Sequence, residues 1–381
     1  MTRLRVVTVL GTRPEVIKLA CVLPALDAAV EHVVVHTGQN SEPALAGGLF
    51  EELGLRPPDV QLATARETAA ASIAEILRSV DAVLADVRPD AMLVYGDTNS
   101  GLSALVAKRR GIAVFHMEAG NRCYDDRTPE EVNRRVIDHT ADVNMTISEH
   151  ARRCLLAEGL RPDRVFRTGS SMREVLDRYA AGIAASGAPA ELSLEPGRYL
   201  LASLHREENV DPEPRLRSLL ASLDAASLET GLPVVVSTHP RTRRRLESLG
   251  AGERLREPSR IRFLPPFGFF DWVRLQTDAA CVLSDSGTLS EEAALLGFRA
   301  VMLRESHERP EGVEKGAAVM AGLEPERVAG AVALVRAQAA AGFRPEPPPD
   351  YLDMRVSDVV VRIVVGYTPF VRPSGGRVPA A

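Results

Sequence analysis

Short apolar runs alternate with longer amphipathic ones along most of the chain. In the first half the apolar runs fall at Arg5–Leu10, 32–38, Ala91–Tyr95, 112–117, 141–148 and 164–169. Their length and β-branched content read as buried strands. The stretches between them, 11–26, 43–55, 69–86, 100–111, 129–139 and 149–159, read as helices. Strand–helix–strand units with short loops predict a doubly wound α/β sheet. A second series follows, with strands at 198–205, 233–239, 261–265, 280–287 and 299–303 and helices at 213–229, 270–277 and Leu289–Leu296. The expected organisation is a Rossmann-like domain over 1–169 and a second over 170–353. A helix at 354–368 packs back on the first, and the Pro/Gly-rich tail 369–381 is disordered. Two such domains facing each other leave a cleft between their strand edges.

In open parallel sheets ligands gather beyond the carboxyl ends of the strands, so the residues that follow each apolar run are the candidates for chemistry. Asp97 follows Ala91–Tyr95, and Glu118 follows 112–117 in a glycine turn. A charge in either place has little structural reason. Glu130 stands at the second position of a helix begun by Pro129, where it equally suits the helix dipole, and Arg134 one turn on is placed to pair with it. The spacing Thr-x-x-Glu recurs at Thr12–Glu15, Thr128–Glu131 and Thr288–Glu291. It reads as three capping boxes, which casts Glu15, Glu131 and Glu291 as helix caps. Capping does not account for Arg13, a guanidinium beside a helix start that suits a diphosphate.

In the second half, Ser286-Gly287-Thr288 follows a strand and opens a helix. Its N–H groups and hydroxyls suit a phosphate, and Gly287 permits close approach. Glu292, one turn further, is placed to accept from two ribose hydroxyls. His205 and His239 each end a strand, as neutral hydrogen-bonding residues or as functional ones; His116 reads as structural. Trp272, the only tryptophan, is either a core anchor or a platform for a base.

The length of 381 residues fits two domains. A net charge of -5 gives no electrostatic case for nucleic acid or an anionic membrane, and no apolar stretch approaches the roughly 20 residues of a membrane span. Cys21, Cys123, Cys154 and Cys281 lack metal-type spacing and read as reduced thiols of a cytoplasmic enzyme. The basic start followed by VVTVLG is too short for a signal peptide and reads as the first strand.

Taken in order, GTRPE with Lys18, TGQN, GDT, EAG, PEE, the histidine of LHREEN, SDSG followed by EE, and ERPE at 308–311 resemble the UDP-N-acetylglucosamine 2-epimerase family, from the first strand to about residue 320. The resemblance implies two Rossmann-like domains in the glycosyltransferase-B arrangement and a homodimer. It also implies non-hydrolysing epimerisation at C2 of a UDP-linked 2-acetamido sugar, without metal, nicotinamide or other cofactor. On the matching motifs, Asp97, Glu118 and Glu130 are the catalytic carboxylates, and His205 is the histidine near the diphosphate. Arg13 and Lys18 are basic residues of the site. Ser286, Gly287, Thr288 and Glu292 form the UDP turn and ribose contact, with His239 and Arg309 as further substrate contacts and Trp272 the aromatic against uracil. Arg309 and Glu311 form a polar pair. The family's route is elimination of UDP to a 2-acetamidoglucal and re-addition. NRCYDDRTPEEVNRR is similar to the branch acting on modified sugars. The TGQ segment continues as Asn40-Ser41-Glu42-Pro43, which departs from the longer motif that helps many bacterial members bind an activating UDP-sugar. A hydrolysing 2-epimerase, a glycosyltransferase of the same fold and a catalytically silent nucleotide-sugar sensor are the alternatives.

Overall fold

A computed structural model describes residues 3–39, 43–250 and 260–371. Residues 40–42 of the TGQ continuation, and the expected disordered tail from 372 onward, lie outside the described residues. The chain divides into one unit made of Met1–Arg178 with Pro349–Ala381 and another made of Tyr179–Pro348.

The first unit is built on a parallel sheet of β1 (Arg5–Leu10), β2 (Glu31–His36), β3 (Val60–Gln61), β4 (Ala91–Tyr95), β5 (Ala113–Met117), β6 (Val143–Thr146) and β7 (Val165–Arg167). Their order is β3-β2-β1-β4-β5-β6-β7. The second unit carries β8 (Leu200–Leu204), β9 (Val234–Thr238), β10 (Ile261–Leu264), β11 (Cys281–Ser284), β12 (Ala300–Met302) and β13 (Ala318–Met320), in the order β10-β9-β8-β11-β12-β13. The paired strands are parallel in both sheets. The sequence pattern did not predict β3 or β13. Both are edge strands of two and three residues, too short to produce an apolar run.

Each sheet is buried by helices whose apolar positions repeat at helical spacing. Ile76, Val80 and Leu84 of the helix Ala69–Val87 pack on Val7, Val9, Met92 and Val94. Thr68 caps that helix by accepting from Ala71 N at 3.1 Å, and Arg88 ends it in the left-handed region. In the second unit Leu216, Leu219 and Leu223 of the helix Glu213–Thr230 pack on Leu200, Ala202, Val234 and Val236. Truncating one such leucine costs about 2–5 kcal/mol.

The boundary read from sequence at 169/170 differs from this division by the helix Ser171–Arg178. Its Glu174 accepts from the backbone N–H of Ser357 at 2.9 Å. Ser357 belongs to the last helix, Val356–Val371, which packs against the helix Val22–Ala29 and buries Val356, Val360 and Val364. That helix runs on beyond the expected end at 368. Among the described residues no helix is long and apolar enough to cross a membrane.

The strand order reverses between β1 and β4 in the first sheet and between β8 and β11 in the second. These are the switch points where doubly wound sheets open a crevice. The carboxyl ends there carry Gly11-Thr12, Gly96-Asp97 and Glu118 in one unit, and His205 and Asp285 in the other.

Candidate active site

In the first unit β5 ends at Met117, and Glu118 adopts a left-handed backbone with φ 62°. For a residue with a side chain this costs about 1 kcal/mol or more. Gly120 completes the turn so close to the next helix that a Cβ there would lie 2.4 Å from the carbonyl oxygen of Ala151. The turn brings the Glu118 carboxylate to Lys18 Nζ, from the helix Arg13–Leu19, and to the Tyr95 hydroxyl, which donates at 2.8 Å. Lys18 is 4% exposed and lies 5.4 Å from the centroid of the Tyr95 ring. A buried ammonium requires a partner of opposite charge, and Glu118 supplies it.

Asp97 follows Gly96, whose φ is 65°. Arg134 Nε and Nη2 both donate to Asp97 Oδ2, at 3.0 and 2.6 Å, and Arg134 Nη1 donates to Glu131 at 2.8 Å. Asn133 Nδ2 donates to the Asp97 carbonyl at 3.0 Å. Glu131 is fully buried and also accepts from the backbone N–H groups of Cys123 and Tyr124, at 3.0 and 3.2 Å, and from Arg135 at 2.8 Å. Burial works against its charge, but the Cys123 N–H and Arg134 outweigh it and hold the carboxyl below the usual range. One sequence expectation is corrected here. Glu131 is a buried hub rather than a cap, and Thr128 makes no side-chain cap bond. Arg134 serves Asp97 and Glu131, because the strand end lies within reach of this face of the helix Pro129–Thr140. Glu130 is half-buried at the second position of that helix.

The Thr12–Glu15 capping box does form. Glu15 accepts from Gly11 N at 3.0 Å, from Thr12 N and Oγ1 at 2.8 Å each, and from Thr98 Oγ1 at 3.0 Å. Burial pushes its carboxyl up to about 7 against these hydrogen bonds. Partial burial lowers the Arg13 guanidinium from its ordinary value, opposed by Glu52. His116 is buried, with Nε2 2.8 Å from the Gly96 carbonyl oxygen and Nδ1 2.9 Å from Asp138.

The second unit presents a different chemistry. Asp285, buried at the end of β11, accepts from the backbone N–H groups of His205 and Arg206 at 3.0 Å each. His205 Nδ1 lies 3.0 Å from the same carboxylate. An ionised carboxylate only accepts, so this nitrogen carries the proton and Nε2 is left for a ligand. Burial opposes the charge of Asp285, yet His205 and the two backbone donors hold its carboxyl below the usual range. The ring of His239 stands 6.1 Å from that of His205 and accepts from Arg241 N through Nδ1 at 3.2 Å. Partial burial, with His205 and Arg241 nearby, pushes the His239 imidazole down to about 4. It is therefore neutral at pH 7 and carries its proton on Nε2.

Beyond Asp285 the hydroxyls form a chain. Ser286 Oγ lies 3.0 Å from Thr288 Oγ1, and Thr288 Oγ1 donates to Glu292 Oε1 at 2.7 Å. Glu292 Oε2 accepts from Gln276 at 2.6 Å. Gln276 stands one turn along from half-buried Trp272 on the helix Phe269–Asp278. A Cβ at Gly287 would meet Glu308 Oε1 at 2.0 Å, so a side chain there would have to displace that carboxylate. Glu291 pairs with the fully buried Arg309 and is thus no cap, a second correction; Thr288 makes no side-chain cap bond.

Lys18 joins Glu118 in the first unit, and Asp97 joins Arg134. In the second, the histidines and the Ser286–Glu292 chain flank the switch point. Asp285, within SDSG, carries the same signal as Asp97 and Glu118, an acid directly after a buried apolar run. Tyr95 gave no signal, since its hydroxyl serves Glu118 while its ring belongs to the strand.

The chain matches the UDP-N-acetylglucosamine 2-epimerase family over residues 25–365. It is similar to the solved UDP-N-acetylglucosamine 2-epimerase of Rickettsia bellii, with 46% identity over 98% of this chain and 99% of that one and a TM-score of 0.90. It is similar also to the Methanocaldococcus jannaschii UDP-GlcNAc 2-epimerase solved with UDP-GlcNAc and UDP, with 30% identity over 95% and 99% of the two chains and a TM-score of 0.89. A third relative, the UDP-2,3-diacetamido-2,3-dideoxy-D-glucuronate 2-epimerase of Pseudomonas aeruginosa, is 32% identical over 84% of this chain and 88% of its own. On this match, with acids at the strand ends of one unit and a phosphate-type turn in the other, the chain belongs to the UDP-N-acetylglucosamine 2-epimerase family.

Proposed function

We propose that this enzyme inverts C2 of a UDP-linked 2-acetamido sugar without hydrolysing it. The observation that carries the reading is the pair of carboxylates Asp97 and Glu118, at the ends of neighbouring strands and each held by a different cation. Removing a proton from one face of a ring carbon and returning one to the other calls for two acid–base groups in separate settings.

The C2 hydrogen is not beside a carbonyl, so an enolate route is closed. In the proposed path a carboxylate takes the C2 proton, the C1–O bond breaks, and UDP leaves with the bonding pair. A C1=C2 double bond, that of a 2-acetamidoglucal, remains. A UDP oxygen then re-adds to C1 while a proton returns to C2 on the opposite face. Asp97, Glu118 and Glu130 serve proton transfer, and Lys18 and Arg13 contribute positive charge. His205, oriented by Asp285, hydrogen-bonds the departing diphosphate. His239, Ser286, Gly287 and Thr288 bind UDP, Glu292 takes the ribose hydroxyls and Trp272 the base. Arg309 acts through Glu291 to hold the turn. Cationic and hydrogen-bond donors placed where charge develops lower the barrier most.

The substrate is UDP-GlcNAc or a modified relative of it. The Pseudomonas aeruginosa relative, named for a diacetamido glucuronate, supports the modified branch. We further propose a cytoplasmic homodimer, which sedimentation of the purified protein tests. The reading of function is tested by offering a panel of UDP-2-acetamido sugars and following each by proton NMR. A C2 epimer should accumulate to equilibrium from at least one, with UDP still attached.

A further inference from the structure

The geometry points to Glu15 as a positioning residue that fixes the Asp97 turn to the turn after β1, beyond its part in capping a helix. The inference rests on the epimerase reading for its kinetic arm only. A capping box needs the carboxylate of its glutamate for the N-cap backbone N–H. Glu15 takes that donor, Thr12 N at 2.8 Å, and adds Gly11 N at 3.0 Å. Its second oxygen accepts from Thr98 Oγ1 at 3.0 Å, across 83 residues of sequence. Thr98 is the residue directly after Asp97 and makes no side-chain cap bond to its own short 3-10 helix. The hydroxyl is thus committed to Glu15.

The surroundings support the same reading. A Cβ on Gly11 would lie 2.2 Å from both Ser100 Oγ and Thr37 Oγ1, so the turns after β1, β2 and β4 meet without slack. Thr37 Oγ1 and Ser100 Oγ are 2.7 Å apart, and Gln39 Oε1 accepts from Ser100 N and Oγ at 3.0 and 2.7 Å. Asp97 is then fixed from three directions, by Asn133 on its carbonyl, by Arg134 on its carboxylate and through Thr98 by Glu15. Glu15 itself is 2% exposed. Exposed caps do not carry the desolvation cost of so deep a carboxylate. Its raised carboxyl is consistent with a residue kept for where it holds the chain rather than for stability.

Thr98→Val removes the bond between the two turns and leaves the capping box intact, while Thr98→Ser keeps the hydroxyl. On the purified full-length enzyme, Thr98→Val should lower kcat about tenfold or more, the scale of one hydrogen bond to a charged group. KM for the UDP-sugar should stay within about twofold, and Thr98→Ser should restore kcat. Hydrogen exchange should show residues 96–100 losing protection in Thr98→Val and in Glu15→Gln, with the helix Ala69–Val87 unchanged. Equal protection of that segment in wild type and Thr98→Val overturns the inference whatever the activity. Unchanged kcat with lost protection overturns the catalytic part of it. Lost protection in an enzyme that epimerises no UDP-sugar supports the positioning and defeats the reading of function instead.

Discussion

Arg134 grips Asp97 through a single carboxylate oxygen, Oδ2, at 2.6 and 3.0 Å, and spends its remaining nitrogen on Glu131 at 2.8 Å. One guanidinium thus sets the acid at the end of β4 and also, with Arg135, offsets the charge of the buried glutamate that holds the backbone N–H groups of Cys123 and Tyr124. A lysine offers one point charge in place of this fork. Arg134→Lys is therefore expected to lower turnover by about 10²-fold or more, the contribution of a well-placed acid–base group. Arg134→Ala should also lower stability, because buried Glu131 then keeps Arg135 as its cation but loses Arg134. Steady-state kinetics and urea unfolding check the two effects.

Glu118 is expected to matter for chemistry more than for binding. Glu118→Gln keeps the shape and can still accept from Tyr95, but it can no longer take a proton or balance Lys18. Turnover should fall about 10²–10⁴-fold, with UDP affinity by calorimetry within about threefold. An equal loss of both would assign Glu118 to substrate binding instead.

Glu15 gives a pH dependence whose sign follows from its burial. Its carboxyl sits at about 7 in the folded protein against an ordinary value of 4.5. Between those values the folded state binds more protons than the unfolded one. The stability linked to this group is complete below about pH 4.5 and is lost as pH rises through 7, by at most about 3 kcal/mol. Glu15→Gln cannot titrate, so its urea midpoint should fall less between pH 5 and pH 8 than that of the wild type. A wild type and variant that change in parallel would contradict the assignment.

Gly287→Ala tests the phosphate-type turn. The new methyl would enter the space of the Glu308 carboxylate, which Arg304 holds at 2.8 Å and Arg206 approaches at 3.5 Å, so it cannot simply swing aside. UDP affinity should weaken about tenfold or more, because overpacking in a fixed site costs about 1–3 kcal/mol. Thermal unfolding of the free protein reports how much of that cost is general.

What sequence conveyed and what it did not divide along one physical line. Buried parallel strands announce themselves as uninterrupted apolar runs, so an acid placed directly after one, such as Asp97 or Glu118, stands out. The same logic applies to Asp285, which follows the buried run Cys281–Ser284 directly. Local rules misled where the real partners are distant. Thr128–Glu131 and Thr288–Glu291 have capping spacing, yet Glu131 turns to Cys123, Tyr124 and Arg134, and Glu291 to Arg309. Arg134 lies one turn from Glu130 but reaches Asp97, 37 residues away. Such choices depend on which strand end a helix face covers, which no spacing within the helix encodes. The edge strands β3 and β13 escaped for another reason, since two or three ladder residues leave no pattern.

The most direct test of the account is epimerisation in D₂O with UDP-GlcNAc and its diacetamido relatives, followed by NMR and mass spectrometry. One deuterium is expected at C2 of the product, with UDP still bound to C1, and loss of that incorporation in Asp97→Asn or Glu118→Gln. A C2 proton retained in every product, or free sugar and UDP released in equal amounts, would contradict it.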